Sequence, residues 1–178
     1  MKKYSVYIVI FLICVLSFVA WWLFSNRPTK RDNPARPGIE RTGPAFQNEG
    51  SLYFIHPETM DTVRSIFIEI ADNPEEIRKG LMYRNSMKAN EGMLFIFDSE
   101  EEQTFWMKNT KISLDIIFIN NDYRIVNIAK HTIPYSTDPI PSMQPARYVL
   151  EVDGGFCDQQ KIETQYIVRF TLNNSLSL

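Results

Sequence analysis

The chain has 178 residues, enough for one ordinary domain plus appendages, and 44% of them are apolar, so a packed core is within reach. Lys and Arg number 19 against 21 Asp and Glu, and no basic stripe with interleaved aromatics occurs, which argues against a nucleic-acid partner. With two cysteines and two histidines there is neither a disulfide framework nor the donor set of a transition-metal site, so no metal and no other cofactor is expected.

The first element is hydrophobic. From Tyr4 to Phe24 no charged residue occurs, and 13 of these 21 residues are Val, Ile, Leu or Phe. As a helix they span roughly 30 Å, the thickness of a hydrocarbon core. Their apolar side chains favour insertion by roughly 4 to 8 kcal/mol. Trp21 and Trp22 stand at the far end, where indoles prefer the lipid–water boundary. The sequence therefore predicts a transmembrane anchor over residues 1–24, with residues 4–24 in the bilayer. Retention is expected, because the apolar stretch exceeds a secretory signal and the bulky Phe18 stands two places before Ala20. A lipoprotein signal at Cys14 is disfavoured by Ile13. Lys2 and Lys3 hold the N-terminus in the cytosol, although Arg27, Lys30, Arg31 and Arg36 oppose them; a signal-anchor starting so near the N-terminus places the domain on the extracytoplasmic side.

Residues 25–50 carry Pro28, Pro34, Pro37 and Pro44 among many charges, with no sustained apolar period. They read as a flexible linker. Residues 51–178 form the domain. Leu52–His56 is a short strand stopped by Pro57. In Val63–Ala71, Ile66, Ile68 and Ile70 alternate with Ser65, Phe67 and Glu69, a strand pattern. Asn73-Pro74-Glu75-Glu76 starts a helix, with Asn73 as N-cap and Glu76 as the second half of a capping box. Ile77 and Leu81 face inward from that helix.

Met93–Phe97 and Thr104–Met107 are two further short strands, separated by a solvated Glu100-Glu101-Glu102 turn. Leu114–Ile119 and Arg124–Ala129 form a hairpin around Asn120-Asn121-Asp122. Thr132–Pro145, with four prolines, reads as a long loop. Arg147–Val152 and Tyr166–Phe170 are late strands on either side of an Asp153-Gly154-Gly155 turn. The pattern predicts a mostly β domain, an antiparallel sandwich or partly closed barrel with one short helix.

The densest cluster of unusual residues is Phe105-Trp106-Met107-Lys108-Asn109-Thr110, with Asp115 following. Trp106 and Met107 are adjacent, so one can fill the core while the other is displayed. Trp106, Asn109 and Asp115 with Arg84 are the candidate ligand-binding residues: a stacking face plus an amide, a carboxylate and a guanidinium. A core tryptophan beside a capped turn is the bland alternative. Asp115 interrupts an apolar strand and needs a partner, for which Arg84 or Arg78 is the leading choice. No catalytic set stands out. His131, Ser136 and Asp138 lack a nucleophile elbow, and no phosphate-cradling glycine loop exists.

The ordered motifs GLMYR (80–84), GMLFIF (92–97), FWMKNT (105–110) and LDIIFI (114–119) resemble the domain of unknown function 192 family, over about Val63 to Phe170. The resemblance implies a compact, jelly-roll-like β domain, commonly exported or membrane-anchored. It carries over neither an activity nor catalytic residues. Lys161-Ile162 and Gln165-Tyr166 depart from the family's glycine-containing pattern before the last strand. The expected function is a membrane-anchored envelope module that binds a small ligand, glycan, peptide or envelope protein; the alternative is an envelope hydrolase using Asp115 in acid/base chemistry.

Overall fold

In the computed structural model, residues 17–18, 21–22 and 43–173 are described. The chain divides into two compact units, Met1–Glu40 and Arg41–Leu178. In the first, Ser17, Phe18, Trp21 and Trp22 are helical; the rest of the predicted anchor and the linker up to residue 42 lie outside the described residues. Among the described residues no helix is long and apolar enough to cross a membrane.

The second unit is mostly β. Its elements are β1 (Gly50–Ile55), β2 (Thr62–Ala71), helix α1 (Pro74–Lys79), β3 (Glu91–Phe105), β4 (Leu114–Ile119), β5 (Ile125–Ala129), β6 (Ile140–Asp153), helix α2 (Phe156–Gln160) and β7 (Ile167–Leu172). The seven strands make one sheet in the order β5-β4-β6-β3-β2-β1-β7. All pairings are antiparallel except β2 with β3, which run parallel because α1 lies in the connection between them. The sheet curls until its two edge strands meet at one end. There Arg124 bridges Ile167, and the Val168 N–H donates to Tyr123 O at 2.8 Å. This half-barrel is the partly closed barrel of the two predicted forms. Among the described residues no second sheet packs on it, so the sandwich and the jelly roll are corrected to a single curled sheet.

Side-chain alternation sorts the core into two clusters. Leu52, Phe54, Ile66, Ile68, Leu94, Ile117, Leu150 and Val152 fill the concave side. Met93, Phe95, Leu114, Ile116, Phe118 and Val149 pack on the other side, beneath Leu81 and Met107. The central strands are thus covered on both faces, which explains why all six residues of β4 are buried and why Met93–Phe97 reads as a continuous apolar run.

Three local expectations change. The two predicted short strands 93–97 and 104–107 are replaced by one long strand, β3, which ends at Phe105 and leaves Trp106 and Met107 beyond it, and Glu100–Glu102 are exposed positions within it rather than a turn. The predicted 132–145 loop ends at Pro139, because Pro141 and Pro145 lie inside β6 opposite Thr104 and Glu102. Both prolines are tolerated because the ladder is irregular there, with register shifts between Ile96 and Glu101 and between Glu102 and Thr104. Ser142 fills the gap: its hydroxyl accepts from Gln103 N–H at 3.0 Å and donates to Gln144 O at 2.6 Å. The Gly154-Gly155 turn also carries a second helix, α2.

The end of the predicted linker is held against the domain. Glu49 N–H donates to Ile68 O at 2.9 Å, Gln47 N–H to Glu69 Oε1 at 2.6 Å, and Gly50 already belongs to β1.

Candidate functional site

Helix α1 begins as its sequence dictates. Asn73 Oδ1 accepts from the Glu75 and Glu76 N–H groups at 3.2 and 3.1 Å, and Pro74 occupies the first turn. It stops earlier than expected, at Lys79. Gly80 adopts φ 46° and ψ −136°, a conformation open to glycine and strained for other residues. The chain then turns down onto the sheet, so Leu81 is buried although it lies beyond the helix. The reversal is tied to a second segment: the Tyr83 N–H donates to Asn109 O at 2.9 Å, and both residues have positive φ, 65° and 58°.

A cleft of about 320 Å³ opens between these segments and the sheet. Its walls are Ile77, Leu81 and Met82 on one side and Phe95, Phe97, Phe105 and Trp106 on the other. Phe95 and Phe97 each meet Phe105 edge-on, with ring centroids 5.1 and 6.4 Å apart. Gln103, Thr104 and Thr110 add polar groups, and Arg78 and Lys79 lie along the lining. Three of the four motifs quoted above, GLMYR, GMLFIF and FWMKNT, each contribute residues to this one cleft.

Glu151 is also part of the lining. It lies on β6, 5% exposed, and its Oε2 has no hydrogen-bond partner among the described residues. Burial pushes its carboxyl up from the ordinary 4.5 to about 8, although the Leu81 N–H and the Arg84 guanidinium both favour the ionised form. Oε2 would lie 3.6 Å from a Cβ placed on Gly80. Sequence reasoning did not select Glu151. The available signal was an acid inside the apolar run Tyr148–Val152, the same signal that selected Asp115.

The register explains why this acid is left over. Glu69 on β2 pairs with Met93 on β3, Met93 with Glu151 on β6, and Glu151 with Ile116 on β4. Two acids therefore sit in one row on one face. Among the described residues one buried cation serves them: Arg84 Nη2 binds Glu69 Oε2 at 2.5 Å, and Glu69 Oε1 also accepts the Gln47 N–H.

Of the predicted residues, only Trp106 lines the cleft. It is 48% exposed while its neighbour Met107 is fully buried, so the indole is the displayed member of the pair. Lys108 Nζ lies 5.2 Å from its ring centroid. Arg84 lies beneath, engaged with Glu69, and Asn109 contributes its backbone to the Tyr83 contact and its amide to Met82 Sδ at 3.8 Å.

Asp115 lies elsewhere and pairs with no arginine, correcting the expected ion pair with Arg84 or Arg78. Its carboxylate accepts three backbone N–H groups: His131 at 2.8 Å, Gly155 at 3.0 Å and Cys157 at 2.8 Å. That satisfies a buried carboxylate without a cation. The nearby Cys157 is fully buried, and burial reinforced by the Asp115 charge pushes its thiol well above the ordinary range, the reverse of an activated nucleophile. His131 pairs instead with Asp158 at 2.8 Å.

Gly80→Ala is expected to lower stability by about 1–3 kcal/mol, since alanine is strained at this φ and its Cβ would lie 3.1 Å from Phe95 Cζ. Thermal unfolding followed by far-ultraviolet circular dichroism checks this; an unchanged midpoint would show that the turn tolerates a side chain.

The fold and the cleft together define a class: a single-sheet β half-barrel with a short crossover helix and an aromatic cleft floored by a buried acid. The chain belongs to the domain of unknown function 192 family, described as uncharacterized ACR, which matches residues 56–170. Its fold is shared by a protein of unknown function from Novosphingobium aromaticivorans DSM 12444, at 35% identity and a TM-score of 0.63 over 67% of this chain and 83% of that one. A protein put forward as a transcription regulator from Sinorhizobium meliloti 1021 is also similar, at 30% identity and a TM-score of 0.66 over 71% and 98%. No curated protein matches the chain.

Proposed function

We propose that the domain is a binding module for a small ligand, held at a membrane by residues 4–24 and displayed on the extracytoplasmic side. The observation that carries the binding role is the Glu151 carboxyl, buried at the aromatic cleft with Oε2 unpartnered. An orphaned buried polar atom costs about 1–3 kcal/mol. A ligand group that pairs with it recovers that cost, and Trp106 beside it offers a face for stacking. The anchor rests on the uncharged stretch from Tyr4 to Phe24. The hydrolase alternative loses support from Asp115 itself, fully buried and occupied by three backbone donors.

Screening the full chain in mild detergent against sugars, glycan fragments and short peptides by thermal shift tests the reading. At least one compound is expected to raise the midpoint, and Trp106→Ala is expected to remove that shift while changing the ligand-free midpoint little, because the indole is half exposed. A library with no binder, or binders indifferent to Trp106→Ala, would sink the proposal.

A further inference from the structure

We infer that the ligand of this cleft is a sugar acid: its ring lies against the Trp106 indole, a ring oxygen or hydroxyl accepts a hydrogen bond from the Glu151 carboxyl, and its carboxylate turns toward Arg78 and Lys79. This rests on the cleft being a binding site, and it adds the chemical class.

The charges set the class. Glu151 is faced by Arg84 from the segment after α1, while its register neighbours Met93 and Ile116 are apolar. Arg84 is committed to Glu69, and so Glu151 stays protonated at neutral pH, with burial as the main cause. A protonated carboxyl donates a hydrogen bond and brings no negative charge. The ionised groups of the lining are then Arg78 and Lys79, with Lys108 beside Trp106 as a third cation. That balance attracts an anion and repels an amine, which would gain its counter-charge only after Glu151 had lost a proton.

The remaining lining fits a hydroxylated ring. Trp106 presents an aromatic surface, and Gln103, Thr104 and Thr110 present one amide and two hydroxyls for directional bonds. The cavity, about 320 Å³, stands near the lower end of ligand pockets, the size of one ring rather than a chain.

Three probes that differ chiefly in charge test this on the full chain in detergent: glucuronate, glucose and glucosamine, by isothermal titration calorimetry at low salt. At about pH 6.5 glucuronate is expected to bind tightest and glucosamine weakest. Raising the pH to about 9.5 should weaken glucuronate roughly thirtyfold, because a carboxyl titrating near 8 is then almost wholly ionised and repels the ligand. E151Q keeps a neutral donor at the same place, so it should bind glucuronate at both pH values with that dependence gone. Arg78→Ser with Lys79→Ser should weaken glucuronate and leave glucose unchanged.

Glucosamine as the tightest probe at about pH 6.5, affinity that rises with pH, or loss of binding in E151Q at about pH 6.5 would each overturn the assignment. If none of the three binds while the broader screen yields a ligand lost in Trp106→Ala, the sugar-acid class fails and the binding module stands. If neither yields a ligand, both fail.

Discussion

Replacing Asp115 with alanine is expected to destabilise the domain by about 4 kcal/mol. The carboxylate is fully buried and accepts from His131, Gly155 and Cys157, three backbone donors on two separate segments. Removing it leaves the buried Gly155 and Cys157 N–H groups unpaired, each costing about 1–3 kcal/mol if no water enters, and frees the half-buried His131 N–H as well. It also unties the start of β4 from the start of α2, where Gly155 adopts φ 90° and the helix has no side-chain cap of its own. Asp115→Asn should recover only part of the loss, since its amide oxygen can keep the His131 and Gly155 N–H groups while its amide nitrogen would point a donor at the Cys157 N–H. Urea unfolding of the full chain, followed by tryptophan and tyrosine fluorescence, measures this. A loss below about 1 kcal/mol for the alanine variant would show that Asp115 is not the tie between the two segments.

The contrast between Asp115 and Glu151 shows how far the sequence reaches. Strands announced by alternation were legible: β1, β2, the β4–β5 hairpin and the latter part of β6 stand close to where the pattern puts them. The Asn120 turn closes by its own side chain, which accepts from Asp122 and Arg124 N–H at 3.1 and 2.9 Å, a local device that sequence displays openly. What stayed hidden depends on register and on distant segments. Pro141 and Pro145 argue against a strand until Ser142 is seen supplying bonds that the ladder lacks. The exposed acids Glu100–Glu102 resemble a turn because that end of β3 has no buried face to impose alternation.

The candidate site was legible in the same partial way. An acid in an apolar strand marks a residue with a non-local partner, and beside Glu69 in β2 there is one such acid in LDIIFI and one in the run 148–152. Nothing in either sequence says that the first would find backbone N–H groups and the second would be left facing a cleft. That outcome is decided by the parallel pairing of β2 with β3, which brings Glu69 into the row of Glu151, and by the Gly80 turn, which brings Arg84 back over both. Trp106 was identifiable from its neighbourhood, but its display required the strand to end at Phe105 and Met107 to be the buried member of the pair.

Arg84→Met should be the second severe change, costing about 3–5 kcal/mol at neutral pH, because it strands a buried acid without its cation. Arg84 and Glu69 are each 5% exposed, so water does not substitute readily for the missing guanidinium. Restoring neutrality should restore most of the stability: Glu69→Gln with Arg84→Met keeps an acceptor for the Gln47 N–H and is expected to recover at least half of the loss. The pH dependence carries its own signature. Burial raises both Glu69 and Glu151 above the ordinary 4.5, so the folded chain holds protons that the unfolded chain has released. The contribution of these two acids to stability therefore falls as pH rises above about 4.5, and the Glu151 share of the fall is complete once pH passes about 8. Arg84 favours the ionised form of both acids, so its removal raises both further and steepens that fall, whereas the double variant leaves only the Glu151 contribution. Urea midpoints of the three proteins across that pH range decide the matter. Parallel profiles for the native chain and Arg84→Met would mean that the guanidinium is not what keeps two buried acids on one face of the sheet.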